Sequence, residues 1–587
     1  MFRAELLTLF LVILLVFTLY RDLLRPSFAF LGTAFLLIVF QVISPEEFLS
    51  GLANKQIIVI FLLIALTAGI QKNVGTGFFF KLFSQKLRPG KFRFRMMLLV
   101  SSLSAFLNNT PVVAFMIPYV KEWTKVNKYP ASKFLIPLSY STILGGMVTV
   151  VGTSTNLVLN GLISQYNLPL LGFQDFFFLG CAVTVIGVAY LSLASNALLP
   201  DREENKSEIM EHLNEYLVET FVPNGSKMDG MTVKEAGLRN LKEIFLAEIA
   251  RGPKEISPVS PNEILMEGDK LFFTGNTKAI LTLIQEENGL SLPEHSHVSN
   301  HGFFQLTEAV VPASSALIGE RIKDSDFRNR YQASIISIHR NGEKLKGNIG
   351  DTKVQAGDLF LMLTGKSYET QENLKDLIII TLQGEITPEK KPFKRIPSLL
   401  AIGLLLAGII GFVDLFMAAF GGIIILFAFK ILNLPTLRKS VDLDLLLILV
   451  CSLAVGVALK NSGAANLLVE GLLHITHREL PLLSLGLLFV ITLVLTSLIT
   501  NAAAVSIMFP IALELGTQMG QPLTPYFVGI AFAASGDFMT PIGYQTNLMV
   551  MGPGNYKFGD YFKLGFPLTI IYAVTVLGFI TWYYELI

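Results

Sequence analysis

Gly152–Gly161 reads "GTSTNLVLNG" and Gly543–Gly552 reads "GYQTNLMVMG", 391 residues apart. Each opens on a glycine and carries Thr-Asn at its fourth and fifth positions. Gly152, Thr153, Thr155 and Asn156, and Gly543, Thr546 and Asn547, can therefore offer backbone carbonyls, hydroxyls and amide oxygens where a glycine lets a helix unwind. Ligation by oxygen alone suits a small hard cation such as Na⁺. A second pair of clusters has different chemistry. "LSAFLNNTPVVAFMIP" carries Asn108, Asn109 and Thr110, and "TSLITNAAAVSIMFP" carries Thr500, Asn501 and Ala502. A helix starting at such a cluster aims unpaired N–H groups and its positive dipole end at an anion, and Asn and Thr add neutral donors. Asp537 is the acid embedded near the second decapeptide, where the first copy has Gly146. It reads as a cation ligand or proton carrier, or else as a helix-start residue at a membrane face. Any one of these elements alone is more often a kink or packing feature. Their recurrence in paired order points to transport.

The elements that must hold these residues are apolar. Of 587 residues 52% are hydrophobic and 16% charged, with a mean hydropathy of +0.56, too apolar for an ordinary soluble chain. Charge is concentrated in 200–396, so two membrane blocks flank a soluble insert. A net charge of +1 gives no sign of a nucleic-acid partner. Spans of about 20 apolar residues are expected near 5–20, 27–44, 54–71, 133–160 and 172–198, and near 397–412, 414–431, 443–459, 524–550 and 562–582. The stretches 97–120 and 482–516 are each broken by a polar cluster, which is tolerated at membrane depth only where protein or a water-filled cavity shields it. The first apolar run has no small-residue cleavage site and reads as a retained helix. Cys181 and Cys451 read as small residues of apolar segments.

Orientation follows from the basic loops. Lys81, Lys86, Arg88, Lys91, Arg93 and Arg95, and then Lys121, Lys125, Lys128 and Lys133, mark both ends of 97–120 as cytoplasmic. That makes 97–120 a re-entrant hairpin, the insert cytoplasmic, and the two blocks opposite in orientation. The blocks also repeat. Lys72, Asn73 and Gly75 recur as Lys460, Asn461 and Gly463, and Asn109 with Pro118 recurs as Asn501 with Pro510. Gly145, Gly152, Thr155 and Asn156 recur as Gly536, Gly543, Thr546 and Asn547. Lys72 and Lys460 read as snorkelling at span ends. Inverted repeats with discontinuous segments are the signature of a secondary transporter.

The insert has its own repeat. Glu219, Pro223, Gly230, Arg239, Asn240, Gly268 and Asp269 return 89 residues on as Glu308, Pro312, Gly319, Arg328, Asn329, Gly357 and Asp358. Two tandem α/β modules fit this spacing. No serine elbow, HExxH or paired carboxylates appear, and His301, His339, His474 and His477 complete no metal site, which argues against an enzyme.

With these motifs the chain resembles the divalent anion:sodium symporter family, in its sulfate-permease-like branch with cytoplasmic modules. The family's Ser-Asn-Thr tips correspond to Asn108-Asn109-Thr110 and Thr500-Asn501-Ala502, and its Gly-Thr-x-x-Asn loop to Gly152–Asn156 and Gly543–Asn547, with Tyr544 in place of threonine. The resemblance implies an elevator-type homodimer that couples Na⁺ to a small divalent anion, sulfate or a dicarboxylate. The insert resembles the C-terminal domains of potassium-channel regulatory proteins (RCK C-terminal, TrkA-C-like), implying regulation by a small ligand. The expected architecture is an all-α polytopic membrane protein with inverted-topology repeats, re-entrant hairpins and an α/β insert. Its parts are a first membrane repeat 1–199, modules 200–290 and 300–380, and a second membrane repeat 396–587, set in a cell inner membrane. An oxyanion exporter or Na⁺/H⁺ antiporter of the same superfamily, and a membrane-bound ligand sensor, are the alternatives.

Overall fold

The computed structural model describes residues 4–586 apart from 22, 25, 53, 74–86, 203–216, 239–243, 253, 257–258, 276–289, 291–304, 313–314, 332, 341–342, 346–348, 365–375, 381–394, 434–436, 438–442 and 477–479. Gly75, Lys81, Lys86, Arg239, Asn240, His301 and His477 lie outside the described residues. The chain forms two units. One comprises Met1–Asp201, Thr387–Val550 and Lys557–Ile587, the other Arg202–Ile386 with Met551–Tyr556.

The first unit is helical. Its first part runs α1 (Ala4–Tyr20), α2 (Pro26–Val39), α3 (Pro45–Leu52), α4 (Lys55–Asn73), α5 (Pro89–Ser104), α6 (Asn109–Asn127), α7 (Leu135–Gly146), α8 (Ser154–Gln165) and α9 (Phe173–Leu198). After the insert come α11 (Arg395–Ile410), α12 (Leu415–Ala428), α13 (Leu443–Asn461), α14 (Ala464–Thr476), α15 (Pro481–Thr496), α16 (Asn501–Gln518), α17 (Leu523–Ser535), α18 (Gln545–Met551) and α19 (Phe558–Tyr583). The label α10 belongs to Phe327–Tyr331 in the insert.

Both α5 and α15 open on a proline, whose missing N–H costs nothing in a first turn. Both α6 and α16 contain a proline nine residues after their first Asn, Pro118 and Pro510. The 26-residue α9 and α19 start alike, with Asp175 and Asp560 accepting from the backbone N–H groups of Gly172 (2.7 Å) and Lys557 (2.8 Å). In each half the broken helix, α7 or α17, packs against the helix before the polar tip, α5 or α15, and against the long helix, α9 or α19.

The unit exposes large apolar side chains and buries a cluster of polar ones within its apolar core. Leu193 and Phe412 are each 82% exposed and Trp582 74%, whereas Thr155, Asn156, Asp537, Thr546 and Asn547 are buried. An outward surface of that kind requires an apolar surrounding. By length and composition α9 and α19 can each cross a membrane, and α13 from Leu446 with α14 to His474 makes a third candidate bent by 69°.

The structure departs from the expected spans at three places. The stretches 133–160 and 524–550 are not continuous helices: α7 stops at Gly146 and α17 at Ser535, and helix resumes only at Ser154 and Gln545. The unwound backbone is thus 147–153 and 536–544, and Thr155 and Asn156 sit in the first turn of α8 rather than in the gap. The expected span 27–44 ends at Val39 and is followed by the short α3. Arg93, read as part of a cytoplasmic basic loop, lies inside α5 and is buried, donating to Asn196 Oδ1 (2.6 Å) and Ser192 O (3.2 Å).

The second unit holds two antiparallel sheets. The first joins β1 (Leu217–Phe221), β2 (Ile244–Arg251), β3 (Lys254–Ile256) and β4 (Lys270–Gly275) in the order β1-β4-β2-β3. The second joins β5 (Gln305–Val310), β6 (Ala333–Arg340), β7 (Glu343–Lys344), β8 (Leu359–Thr364) and β9 (Ile378–Ile379) in the order β7-β6-β8-β5-β9. Each has its own apolar core, around Leu271 and Phe273 in one and Phe360 and Met362 in the other. A register shift interrupts β2 between Leu246 and Glu248 and β6 between Ile335 and Ser337. Arg251 grips buried Asp269 through two hydrogen bonds of 2.8 Å, and Arg340 grips buried Asp358 at 2.7 and 2.8 Å. Each aspartate follows a glycine with positive φ, Gly268 (81°) or Gly357 (84°), which lets the turn close. The Asp269 carboxylate holds the Arg251 guanidinium pKa above its ordinary value.

Candidate functional site

The polar tips are built the same way in both halves. Ser104, the last residue of α5, shares its hydroxyl between Asn109 Oδ1 and Thr142 O. Thr496, the last residue of α15, does the same with Asn501 Oδ1 (2.9 Å) and Ala534 O (2.6 Å). The hydroxyl that ends one helix thus orients the asparagine that starts the next. Asn108 Oδ1 accepts from Thr110 N (3.4 Å), and Thr500 Oγ1 from Ala503 N (3.4 Å), which caps α6 and α16. The remaining first-turn N–H groups are the donors a helix start can offer an anion.

The two gaps are also matched. Asn156 Nδ2 donates to Thr149 O and Asn547 Nδ2 to Thr540 O, both at 3.1 Å and both seven residues back. Thr149 Oγ1 accepts from Gly152 N (3.2 Å), and Thr540 Oγ1 from Gly543 N (3.3 Å). Each loop is therefore pinned by its own threonine and asparagine. The glycines allow a backbone approach that no side chain permits. A Cβ on Gly152 would stand 2.4 Å from Gly146 O and 2.8 Å from Ser104 O, and one on Gly543 would stand 2.3 Å from Asp537 Oδ2 and 2.6 Å from Thr496 O. Oxygens thus crowd both glycines, the donor set a small hard cation takes.

The halves differ at Asp537. In the first half Thr149 Oγ1 donates to Ala105 O. In the second, Thr540 Oγ1 donates to the Asp537 carboxylate (3.1 Å to Oδ2), and Ser497 Oγ donates to its Oδ1 (3.1 Å). Asp537 is 1% exposed and sits in the gap after α17, so the reading of a helix-start residue at a membrane face does not hold. Among the described residues no basic side chain pairs with it, and a buried carboxylate left so is costly. A cation beside it would neutralise it.

Contacts also cross between the halves. Ser139 Oγ on α7 lies 2.9 Å from Thr546 Oγ1 and 2.7 Å from Asn547 Oδ1. Asn109 Nδ2 donates to the Tyr544 hydroxyl, and Thr110 Oγ1 donates to Gln545 Oε1 at 3.1 Å. The structure thus brings Asn109 and Thr110 of the first half against Tyr544 and Gln545 of the second. Ala502, buried in α16, offers no side-chain donor. Lys460 is exposed at the end of α13, its Nζ 4.3 Å from the Tyr166 ring centroid, and lies outside this cluster.

Sequence reasoning did not single out Ser104, Thr149, Thr496, Thr540 or Ser139. For four of them a signal was present. Ser104 and Thr496 keep a hydroxyl five residues before the tip asparagine, and Thr149 and Thr540 one seven before the loop asparagine. Ser139 has no polar counterpart in the second half, where Ile530 stands.

A family model described as Citrate transporter matches residues 11–528 and 410–587. The "Putative sulfur deprivation response regulator" of Chlamydomonas reinhardtii is 33% identical over 94% of this chain and 97% of its own length. An uncharacterized transporter of Synechocystis is 30% identical over 92% of this chain and 90% of its own. Sodium/sulfate cotransporter 2 of Chlamydomonas reinhardtii is 23% identical over 92% of this chain and 85% of its own.

Proposed function

The chain belongs to the citrate-transporter family, within the divalent anion:sodium symporter superfamily of secondary transporters, and from that premise we propose that it takes up a small divalent anion, sulfate ahead of a dicarboxylate, with Na⁺. As a member of that family it is a carrier and not an enzyme. The observation that carries the reading is the matched pair of pinned loops, Thr149 with Asn156 and Thr540 with Asn547, each beside a glycine crowded by oxygens. Na⁺ is written here as a co-transported substrate. It binds at Gly152, Thr153, Thr155 and Asn156 in one half and at Gly543, Thr546, Asn547 and Asp537 in the other. The anion lies at the tips Asn108-Asn109-Thr110 and Thr500-Asn501-Ala502, where helix N-termini and the Asn501 amide hold it without a fixed positive charge. A cation near each tip lowers the cost of desolvating the anion between them. Sulfate is favoured because a relative that matches 92% of this chain carries that substrate in its name.

The rest of the reading supports that cycle. The two helical blocks are inverted repeats with re-entrant tips, set as a multi-pass homodimer in a cell inner membrane. The insert is cytoplasmic, its sheets are RCK C-terminal-like modules at 200–290 and 300–380, and a small ligand there adjusts transport. A second reading, a membrane-bound ligand sensor, is favoured by the name of the relative called a response regulator.

The deciding experiment is uptake of radiolabelled sulfate and, separately, succinate into proteoliposomes with and without an inward Na⁺ gradient, for wild type and Asn156→Ala. Gradient-driven accumulation of sulfate that the variant loses is the expected result. No accumulation of either anion by folded wild type would move the weight to the sensor.

A further inference from the structure

We infer that Tyr544 sets the size limit of the transported anion, by filling the space in front of the first tip so that only a compact oxyanion is accepted. The inference rests on the anion-uptake reading above and deepens it. Tyr544 is 8% exposed, and its hydroxyl is held from the opposite half by Asn109 Nδ2 of the tip. The next residue continues the contact, Gln545 Oε1 accepting from Thr110 Oγ1 at 3.1 Å. Both polar side chains that start α6 are thus engaged by residues 544 and 545. Asn109 has no amide group left over, because Ser104 occupies its Oδ1.

The other tip is not covered in this way. The positions matching Tyr544 and Gln545 in the first loop are Thr153 and Ser154, whose short side chains make no hydrogen bond to Thr500 or Asn501 among the described residues. Asn501 is partly exposed, and its Oδ1 accepts from Thr496 while its Nδ2 makes no hydrogen bond among the described residues. One tip is therefore open and the other stoppered by a phenol. A tetrahedral dianion carries both charges within one small volume and can be satisfied at a single tip. An extended dicarboxylate separates its charges and needs donors at both ends, one of which Tyr544 occupies. Threonine at 544 would copy Thr153 and restore the symmetry of the pair.

The test is Na⁺-driven uptake of sulfate and succinate into proteoliposomes by wild type, Tyr544→Phe, Tyr544→Thr and Tyr544→Leu. Phe keeps the ring and removes the hydroxyl; Thr and Leu shorten the side chain by different chemistry, so one remains if the other misfolds. The expected result is that Phe keeps the wild-type preference for sulfate, whereas Thr and Leu raise succinate relative to sulfate by about tenfold or more, the scale of a pocket enlarged by a few heavy atoms. An unchanged ratio in both shortened variants overturns the inference, as does a Phe variant that shifts as far as they do, because the hydrogen bond and not size would then discriminate. If wild type carries neither anion, the uptake reading fails on its own. The size limit is then read from stabilisation against heat by each anion in detergent. Succinate stabilising wild type as much as it stabilises Tyr544→Thr would overturn it.

Discussion

Asn156 and Asn547 each tie the first turn of a helix to a carbonyl seven residues back, so each is a single-residue handle on a loop. Asn547→Ala frees the carbonyls of both Asp537 and Thr540, each 3.1 Å from the lost amide. A buried acceptor left without its donor costs about 1–3 kcal/mol. The expected outcome is folded protein whose Na⁺ half-saturation for uptake is higher by about tenfold, the equivalent of ~1.4 kcal/mol. A steeper loss is expected for Gly152→Ala, since the new methyl meets Gly146 O at 2.4 Å and pushes aside backbone oxygens that no rotamer change can move. Na⁺-dependent uptake should disappear while size-exclusion behaviour stays that of wild type; normal Na⁺ activation in this variant would remove Gly152 from the site. Asp537→Asn keeps the shape and both hydroxyl neighbours but removes the charge. It should weaken Na⁺ activation by about tenfold or more, as loss of a buried opposite charge implies. Unchanged Na⁺ dependence and rate would show that the carboxylate is no cation ligand.

At the scale of elements, much was legible. The apolar runs, the two polar tips, the matched prolines and the paired glycines lie in the chain as local signals, because helix breaks and starts are decided within a few residues. The exact gaps were not. Thr155 and Asn156 pattern as loop residues but join α8, since the Asn156 side chain closes on Thr149 O only when the backbone between them has already turned. In the insert the repeated Gly-Asp turns at 268–269 and 357–358 were read from spacing, while their partners Arg251 and Arg340, also 89 residues apart, were passed over. Arg251→Ala leaves Asp269 buried without its counter-charge. The expected cost is roughly 3 kcal/mol, at the low end for a broken buried pair because the arginine side chain is 24% exposed. Hydrogen exchange of the intact protein should accelerate along β2 and β4 and stay unchanged along β6 and β8. Equal acceleration in both sheets would refute their independence.

For the whole molecule, the proposal that the insert adjusts transport is tested by joining 200 to 394. Expected is a carrier that still accumulates the anion with a changed apparent affinity or rate; unchanged kinetics, with normal expression and assembly, would sink the regulatory role. The sequence by itself determined that the chain is a twice-repeated apolar protein whose polar breaks fall in matching order, because composition and spacing are properties of segments a few turns long. Only the tertiary structure decided which of those polar groups meet. Ser139 reaches Thr546 and Asn547, and Asn109 reaches Tyr544, across more than four hundred residues of chain. Such contacts depend on how distant helices pack, and packing is a joint property of surfaces that no spacing along one segment encodes.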